Sequence, residues 1–435
     1  MLYDEAKNIE EKVAKIADEY EIYISQNNEI ELDSNKNELN FAKDEISKGV
    51  GIRVIKDNKV GFAFTSDLNK IEETTKQALS NTKLNKADES FSFSIPEKTI
   101  EVKGTYDKKI DDLNQDEYIE FLNNVIQNAD ETDCEVTSAG FSAGKGESVI
   151  LNSNGVCGIN KGTIFAVGLS VKATKGEEIS TAYDSMMSRQ FDLNAEKLSN
   201  EVCGKAIDSL GGTGLETDDY DVVLDYHAAA GLLSTFIAAF SGENILRGRS
   251  ILKDKIGQQI TGENLSINND STLEKGLISC NCDGEGVVSR KTSLVENGYL
   301  KSFLYDLYSA DKSGAKSTSN GYRGDFSSTP NVSPSNLVFD FNDSVDVSDI
   351  QKGVFVSSVL GAHTANPITG DFSVEGSNLF KIESGEITKP IKKAMVSGNI
   401  FELIKTAEKV NSENKQYGPY IIPQILVHDL RVIGV

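Results

Sequence analysis

Hydrophobic positions along the chain follow two periods, and the switches between them mark the elements. Between Asp4 and Glu19, the residues Ile9, Val13, Ile16 and Ala17 recur at helical spacing and predict an amphipathic helix. Alternating segments follow at Glu21–Gln26, Gly51–Ile55 and Val60–Phe64, the last two flanking a hairpin turn at Lys56-Asp57-Asn58-Lys59. A second helix is expected over about Leu68–Leu84, with Ile71, Thr75, Ala78 and Leu79 on one face. Asp88–Lys108 reads as a connector with an extended segment at Thr99–Val102. Asn114 caps a third helix, Gln115–Ala129, and Asp116 and Glu117 occupy the first turn, where the helix dipole favours acids. Strands are predicted at Glu135–Ser142, Glu147–Asn152 and Thr163–Ala173, with a turn at Asn154-Gly155, and then a helix at Asn194–Leu210.

Gly211-Gly212-Thr213-Gly214 is the clearest break and places a domain boundary. The strand Asp221–Leu224 leads into Ala228–Phe240, a helix apolar nearly all round and therefore buried. From Leu265 onward short strands dominate, interrupted by a late helix at Ile400–Val410. The expected class is α+β. An N-terminal α/β-sandwich-like domain covers 1–212, and a β-rich, barrel-like domain covers 213–435 with the buried helix at 228–240.

Charge and cysteine content narrow the function. In 435 residues, 44 Lys and Arg face 67 Asp and Glu, a net charge of −23 that repels phosphate backbones and argues against nucleic acid or anionic membrane as partner. Five cysteines make no disulfide framework and fit a reducing compartment. The N-terminal stretch is charged from Asp4 and lacks an apolar signal region, and no run reaches membrane-spanning length, so a cytoplasmic protein is expected.

The candidate chemistry is sparse. His227, His363 and His428 are the only histidines, and none lies within helical reach of another, so no paired-histidine zinc motif exists. His227 reads as structural, His428 as a strand-edge residue, and His363 sits in a loop-like Gly-Ala-His-Thr-Ala-Asn-Pro run. Cys280-Asn281-Cys282 either starts a soft-metal site or supplies two small buried side chains, and it lacks a partner pair. The Gly211–Gly214 run has no following Lys-Ser/Thr, and Gly-x-Ser-x-Gly is absent, so neither a phosphate loop nor a nucleophile elbow is present. Composition and spacing alone yield no self-sufficient active site.

A family likeness lies in the segments Asp221–Leu233, Ser241-Gly-Glu-Asn-Ile-Leu-Arg-Gly-Arg-Ser250 and Asp283-Gly-Glu-Gly286. It continues through Asn297-Gly-Tyr-Leu300, Gly361-Ala-His-Thr-Ala-Asn-Pro-Ile-Thr-Gly-Asp-Phe-Ser373, Ile382–Ile387 and Ser397-Gly-Asn399. These resemble the TldD/PmbA family, historically called modulators of DNA gyrase. In the TldD branch, the helix after this strand carries His-Glu-x-x-x-His, and a late cysteine completes a zinc site that activates water for peptide hydrolysis. Here Ser234, Thr235 and Ala239 stand at the matching positions, and no cysteine follows Cys282.

The resemblance therefore implies the TldE (PmbA) branch: no catalytic residue and no cofactor in this chain, and zinc in a TldD-type partner. It also implies a heterodimer that degrades or processes peptides and unfolded proteins, with this chain closing a chamber. A homodimer is possible when the chain is isolated. The alternative is a peptide-binding or regulatory homodimer without protease activity. A metal held in this chain by His363 and carboxylates is disfavoured, for want of a strong ligand set. Candidate substrate or partner contacts are His363, Asn366, Thr369 and Asp371, then Glu243, Asn244 and Arg247. Turn chemistry in the first group, and helix capping with a surface ion pair in the second, are the structural alternatives.

Overall fold

The computed structural model describes residues 2–410 and 412–434. Its N-terminal part is one antiparallel six-stranded sheet. Strands β1 (Glu19–Asn35), β2 (Glu38–Lys56), β3 (Lys59–Thr65), β4 (Cys134–Asn152), β5 (Cys157–Lys175) and β6 (Glu178–Ser188) stand in the order β3-β2-β1-β4-β5-β6. Helices α1 (Leu2–Val13), α2 (Ile71–Asn81), α3 (Gln115–Asp130) and α4 (Ala195–Asp208) cover one face. Ile22, Ile24, Ile52 and Val149 meet α1 and α2, whereas Phe141, Phe165, Val167 and Leu169 meet Leu122, Val125, Leu198 and Val202 of α3 and α4. Lys56 pairs Lys59 across Asp57 and Asn58, both left-handed at φ 53° and 57°, the type I′ geometry that matches strand twist.

Several expected boundaries move. The first helix ends at Val13, and the second is flanked by short 3₁₀ turns at 68–70 and 82–84. Residues 27–50, unassigned from pattern, continue β1 and β2; β1 stays paired with β4 there, and the part of β2 beyond β3 is an exposed sheet edge on which Lys43, Asp44 and Glu45, charges that protect an edge, stand among exposed Leu39, Phe41 and Ile46. The two strands expected at 135–142 and 147–152 are one. Ala143–Gly146 pairs with β1 on one side and β5 on the other, so the ladder bridges its glycines. Thr99–Val102 forms no strand; the connector is a strap held where the Val102 amide donates to Asn281 Oδ1 at 2.9 Å.

After the glycine break comes β7 (Asp218–Leu224) and then α5 (Tyr226–Ala238) and α6 (Gly242–Leu246). β7 pairs with strand 352–360 in parallel and with strand 425–434 antiparallel. Strands 371–383 and 394–399 complete the ring, which closes into a β-barrel. A second six-stranded sheet stacks beside it, and α5 lies in the large core they share. The late helix is only Ile400–Leu403. Glu408 and Lys409 instead pair with Leu426 and Ile425, so sheet pairing overrides the apolar helical spacing.

Candidate functional site

Helix α5 is built to be buried. Ala228–Ala230, Leu232, Leu233, Phe236 and Ile237 are all core residues, and the Phe236 ring meets Phe240 at 5.1 Å and Phe401 at 5.8 Å. The three positions singled out on it separate. Ser234 is exposed, and its hydroxyl donates back to the Gly231 carbonyl at 2.7 Å. Thr235 and Ala239 are 7% and 1% exposed, within the core. None offers thiolate or imidazole, and among the described residues no three His, Cys, Asp or Glu converge as a metal-holding group. These three side chains do not fit zinc.

The 361–371 loop packs on this helix. Gly231 lets it approach, because a Cβ there would lie 3.3 Å from Val359 Cγ2 and 3.4 Å from Ala362 Cβ. Gly231 lies one helical turn from Ser234, so the loop and the exposed serine share a face. His363 is exposed on the short 3₁₀ turn Ala362–Thr364. Asn366 Oδ1 accepts the amides of Ile368 (2.9 Å) and Thr369 (3.2 Å), and the Thr369 hydroxyl donates to Asp371 Oδ2 at 2.7 Å. Asn399, absent from the candidates, organises the loop: its amide donates to Asp371 Oδ1 and the Thr369 carbonyl, both at 2.8 Å. Those bonds, Asn399 first and Thr369 second, hold the Asp371 carboxyl below its usual range.

The second candidate group borders a cleft of about 560 Å³ between the N-terminal sheet and the barrel region. Glu243 and Arg247 form a half-exposed ion pair at 2.5 Å on its rim, while Asn244 donates to the Ala238 carbonyl at 2.8 Å and caps α5. Phe91 stacks on Tyr308 at 4.9 Å along one wall.

The floor is a buried charge cluster that pattern reading missed. Arg53 donates from Nε to Glu21 Oε1 at 3.0 Å and from Nη2 to Glu285 at 3.2 Å, and Arg323 pairs with the same Glu21 oxygen. Burial alone would raise the Glu21 pKa, but Arg323 and Arg53 outweigh it and the carboxyl is held low. Asp283 and Glu285 are pushed up, chiefly by burial; Asp283 also feels Glu285, and Arg53 offsets part of the rise at Glu285. Only Glu285 and Asp283 lie in a family-like motif; Glu21 and Arg53 sit on strands far away in sequence.

The remaining candidates are structural neighbours. Cys280 Sγ lies 3.4 Å from Ser289 Oγ, and Cys282 Sγ lies 3.6 Å from Asn160 Nδ2; burial raises both thiols. His227 sits edge-on to Tyr417 at 4.8 Å with Nδ1 unpartnered, and burial lowers its pKa. His428 is clamped between Asp221 (2.8 Å) and Glu408 (2.9 Å). No helix among the described residues is long and apolar enough to cross a membrane.

Family models match most of the chain. Residues 20–82 match the PmbA/TldA metallopeptidase domain 1, 108–210 the central domain and 217–434 the C-terminal domain. An uncharacterized protein of Methanocaldococcus jannaschii is 38% identical over 422 residues, covering 96% of this chain and 98% of the relative. The metalloprotease PmbA homolog of Haemophilus influenzae is 27% identical over 398 residues, 88% of this chain and 85% of the relative. The crystal structure of TldE from Thermococcus kodakarensis superposes with a TM-score of 0.92 at 27% identity, covering 99% of this chain and all of that one.

Proposed function

The chain belongs to the PmbA/TldD metallopeptidase family, and within it we propose the role of the TldE-type, non-catalytic subunit of a two-chain zinc metalloprotease. The observation that carries this reading is α5, where Ser234, Thr235 and Ala239 replace every group that could hold or assist a metal. Two of the three are in the core, so no small side-chain rearrangement turns this helix into a metal site. The likeness to the Thermococcus kodakarensis TldE supports the same branch.

In this reading a TldD-type chain supplies zinc, and the present chain closes a chamber and shapes access for peptides and unfolded segments in the cytoplasm. The exposed strip formed by Ser234, His363 and the 366–371 turn meets the partner or the substrate backbone. A preformed turn with its own hydrogen bonds satisfied suits that task, since little order is lost on contact.

The test is metal content and degradation of an unfolded protein, for the purified chain alone and mixed with a TldD-type chain from the same source. The chain alone is expected to be metal-free and inert, and the mixture to hold zinc and cleave. Stoichiometric metal and cleavage by the isolated chain would overturn the proposal.

A further inference from the structure

The sheet face opposite the helices is only partly covered by the barrel region, and the open part is a groove of about 370 Å³. Its floor crosses β1, β4 and β5 at Asn27, Gly146 and Gly162, with Ser25 two residues from Asn27 on the same face of β1. The glycines keep it clear: a Cβ at Gly146 would lie 2.5 Å from Asn27 Oδ1, and one at Gly162 would lie 2.6 Å from Arg189 Nη1. Three features point to a ligand. Ser25 is 3% exposed, lines the groove, and its hydroxyl has no hydrogen-bond partner, an expensive state for a buried polar group. The Asn27 amide, two residues on along the same strand face, makes no side-chain hydrogen bond among the described residues.

Arg189, on the opposite side, makes no ion pair among the described residues. It donates to the carbonyls of Thr163 (3.0 Å), Gly276 (3.4 Å) and Ser279 (3.4 Å), which uses three of its five N–H groups and leaves one on each terminal nitrogen. Both remaining N–H groups are free to donate to a carboxylate. Two strand spacings, on the order of 10 Å, separate Ser25 from the strand beside Arg189, the span of about three extended residues.

We propose that this groove holds a peptide end of about three residues, its terminal carboxylate on Arg189 and its backbone on Ser25 and Asn27. Glu29, exposed two residues beyond Asn27 on the same strand face, also lines the groove. The proposal rests on the reading that the assembly handles peptides, and it places peptide retention in this chain, away from the α5 strip.

The experiment is calorimetric titration of the full chain, without any partner, with tri-alanine and with tri-alanine amide. The free acid is expected to bind, and the amide about tenfold or more weaker, the loss of a charge-assisted bond. Ser25→Ala breaks no internal bond, so its melting temperature should be unchanged or raised while tri-alanine affinity falls about threefold or more. Arg189→Gln should remove the difference between acid and amide. Equal binding of acid and amide overturns the proposal, as does no binding, or acetate or inorganic phosphate binding as tightly as the tripeptide. Because no partner chain is present, failure here leaves the subunit reading standing, and failure of partner assembly leaves the binding result intact.

Discussion

Replacing Arg323 with methionine removes a charge while keeping the chain's bulk, and the cluster beneath the cleft makes the consequence calculable. Arg323 and Glu21 have side chains 1% and 0% exposed, and Arg53 is shared between Glu21 and Glu285. Two guanidinium groups thus balance two carboxylates; without Arg323, both carboxylates compete for Arg53. The variant also loses donated bonds to the carbonyls of Gly284 (2.7 Å) and Ser328 (3.3 Å). Breaking one partner out of a buried ion pair costs about 3–5 kcal/mol, roughly two to three and a half orders of magnitude in the folding equilibrium. Equilibrium urea unfolding followed by circular dichroism reads that loss as a drop in midpoint. The double variant Glu21→Gln/Arg323→Met removes the orphaned charge as well and should recover about 2 kcal/mol or more of coupling. A loss below about 1 kcal/mol for Arg323→Met, or strict additivity in the cycle, refutes the claim that this pair bears on stability through desolvated charge.

Further expectations follow from the same physics. Asp283 and Glu285 have folded pKa values raised above their unfolded ones, so their stabilising contribution is full below the unfolded carboxylate range and is lost as pH rises through the folded values; Asp283→Asn should flatten that part of the stability–pH curve. His428 is opposed by burial but raised overall by Glu408 and Asp221, so its clamp stabilises below about pH 6.5 and weakens as pH climbs through the folded pKa. An NMR titration should find that pKa above 6.5 and see it fall in Glu408→Gln, with a stability change of no more than about 1 kcal/mol for so exposed a pair. Installing Ser234→His, Thr235→Glu and Ala239→His together should not create a tight zinc site. Residue 239 is 1% exposed, so an imidazole there lies in the core, away from exposed residue 234, and overpacks it by about 1–3 kcal/mol; zinc titration with a chelating dye checks the first point and thermal melting the second.

The local grammar of the fold was legible where one stretch of chain decides the outcome. Asn114 accepts the amides of Asp116 (2.9 Å) and Glu117 (3.2 Å) as its position before the helix implies. The uniformly apolar 228–240 run is buried, with α5 at its centre. What pattern missed was burial and element boundaries set by a distant partner. Glu21, Tyr23 and Ser25 alternate with Ile22 and Ile24 and read as an ordinary solvent face. In the structure a loop from the barrel region brings Arg323 over Glu21 and Tyr23, which is why an acid there pairs with arginines instead of water. The same blindness hid the glycine-floored groove, since Gly146 and Gly162 meet only once β4 pairs with β5. At the α5 strip, the residue types were readable from the family likeness. Their division into one exposed and two buried positions required the helix to be placed against the 361–371 loop.

Barrel closure has a consequence for how the protein is made. The strand that begins the ring, Asp218–Leu224, finds one neighbour at 352–360 and the other only at 425–434, about two hundred residues later in synthesis. A ribosome adding about 5–20 residues per second leaves that edge unpaired for about ten seconds or more. The nascent ring therefore waits with an apolar interior, α5 lying directly after its first strand. Pairing at such sequence separation is slow to nucleate. Until it forms, the open edge is the point where a nascent-chain chaperone is most needed and where premature pairing with another chain does the most harm.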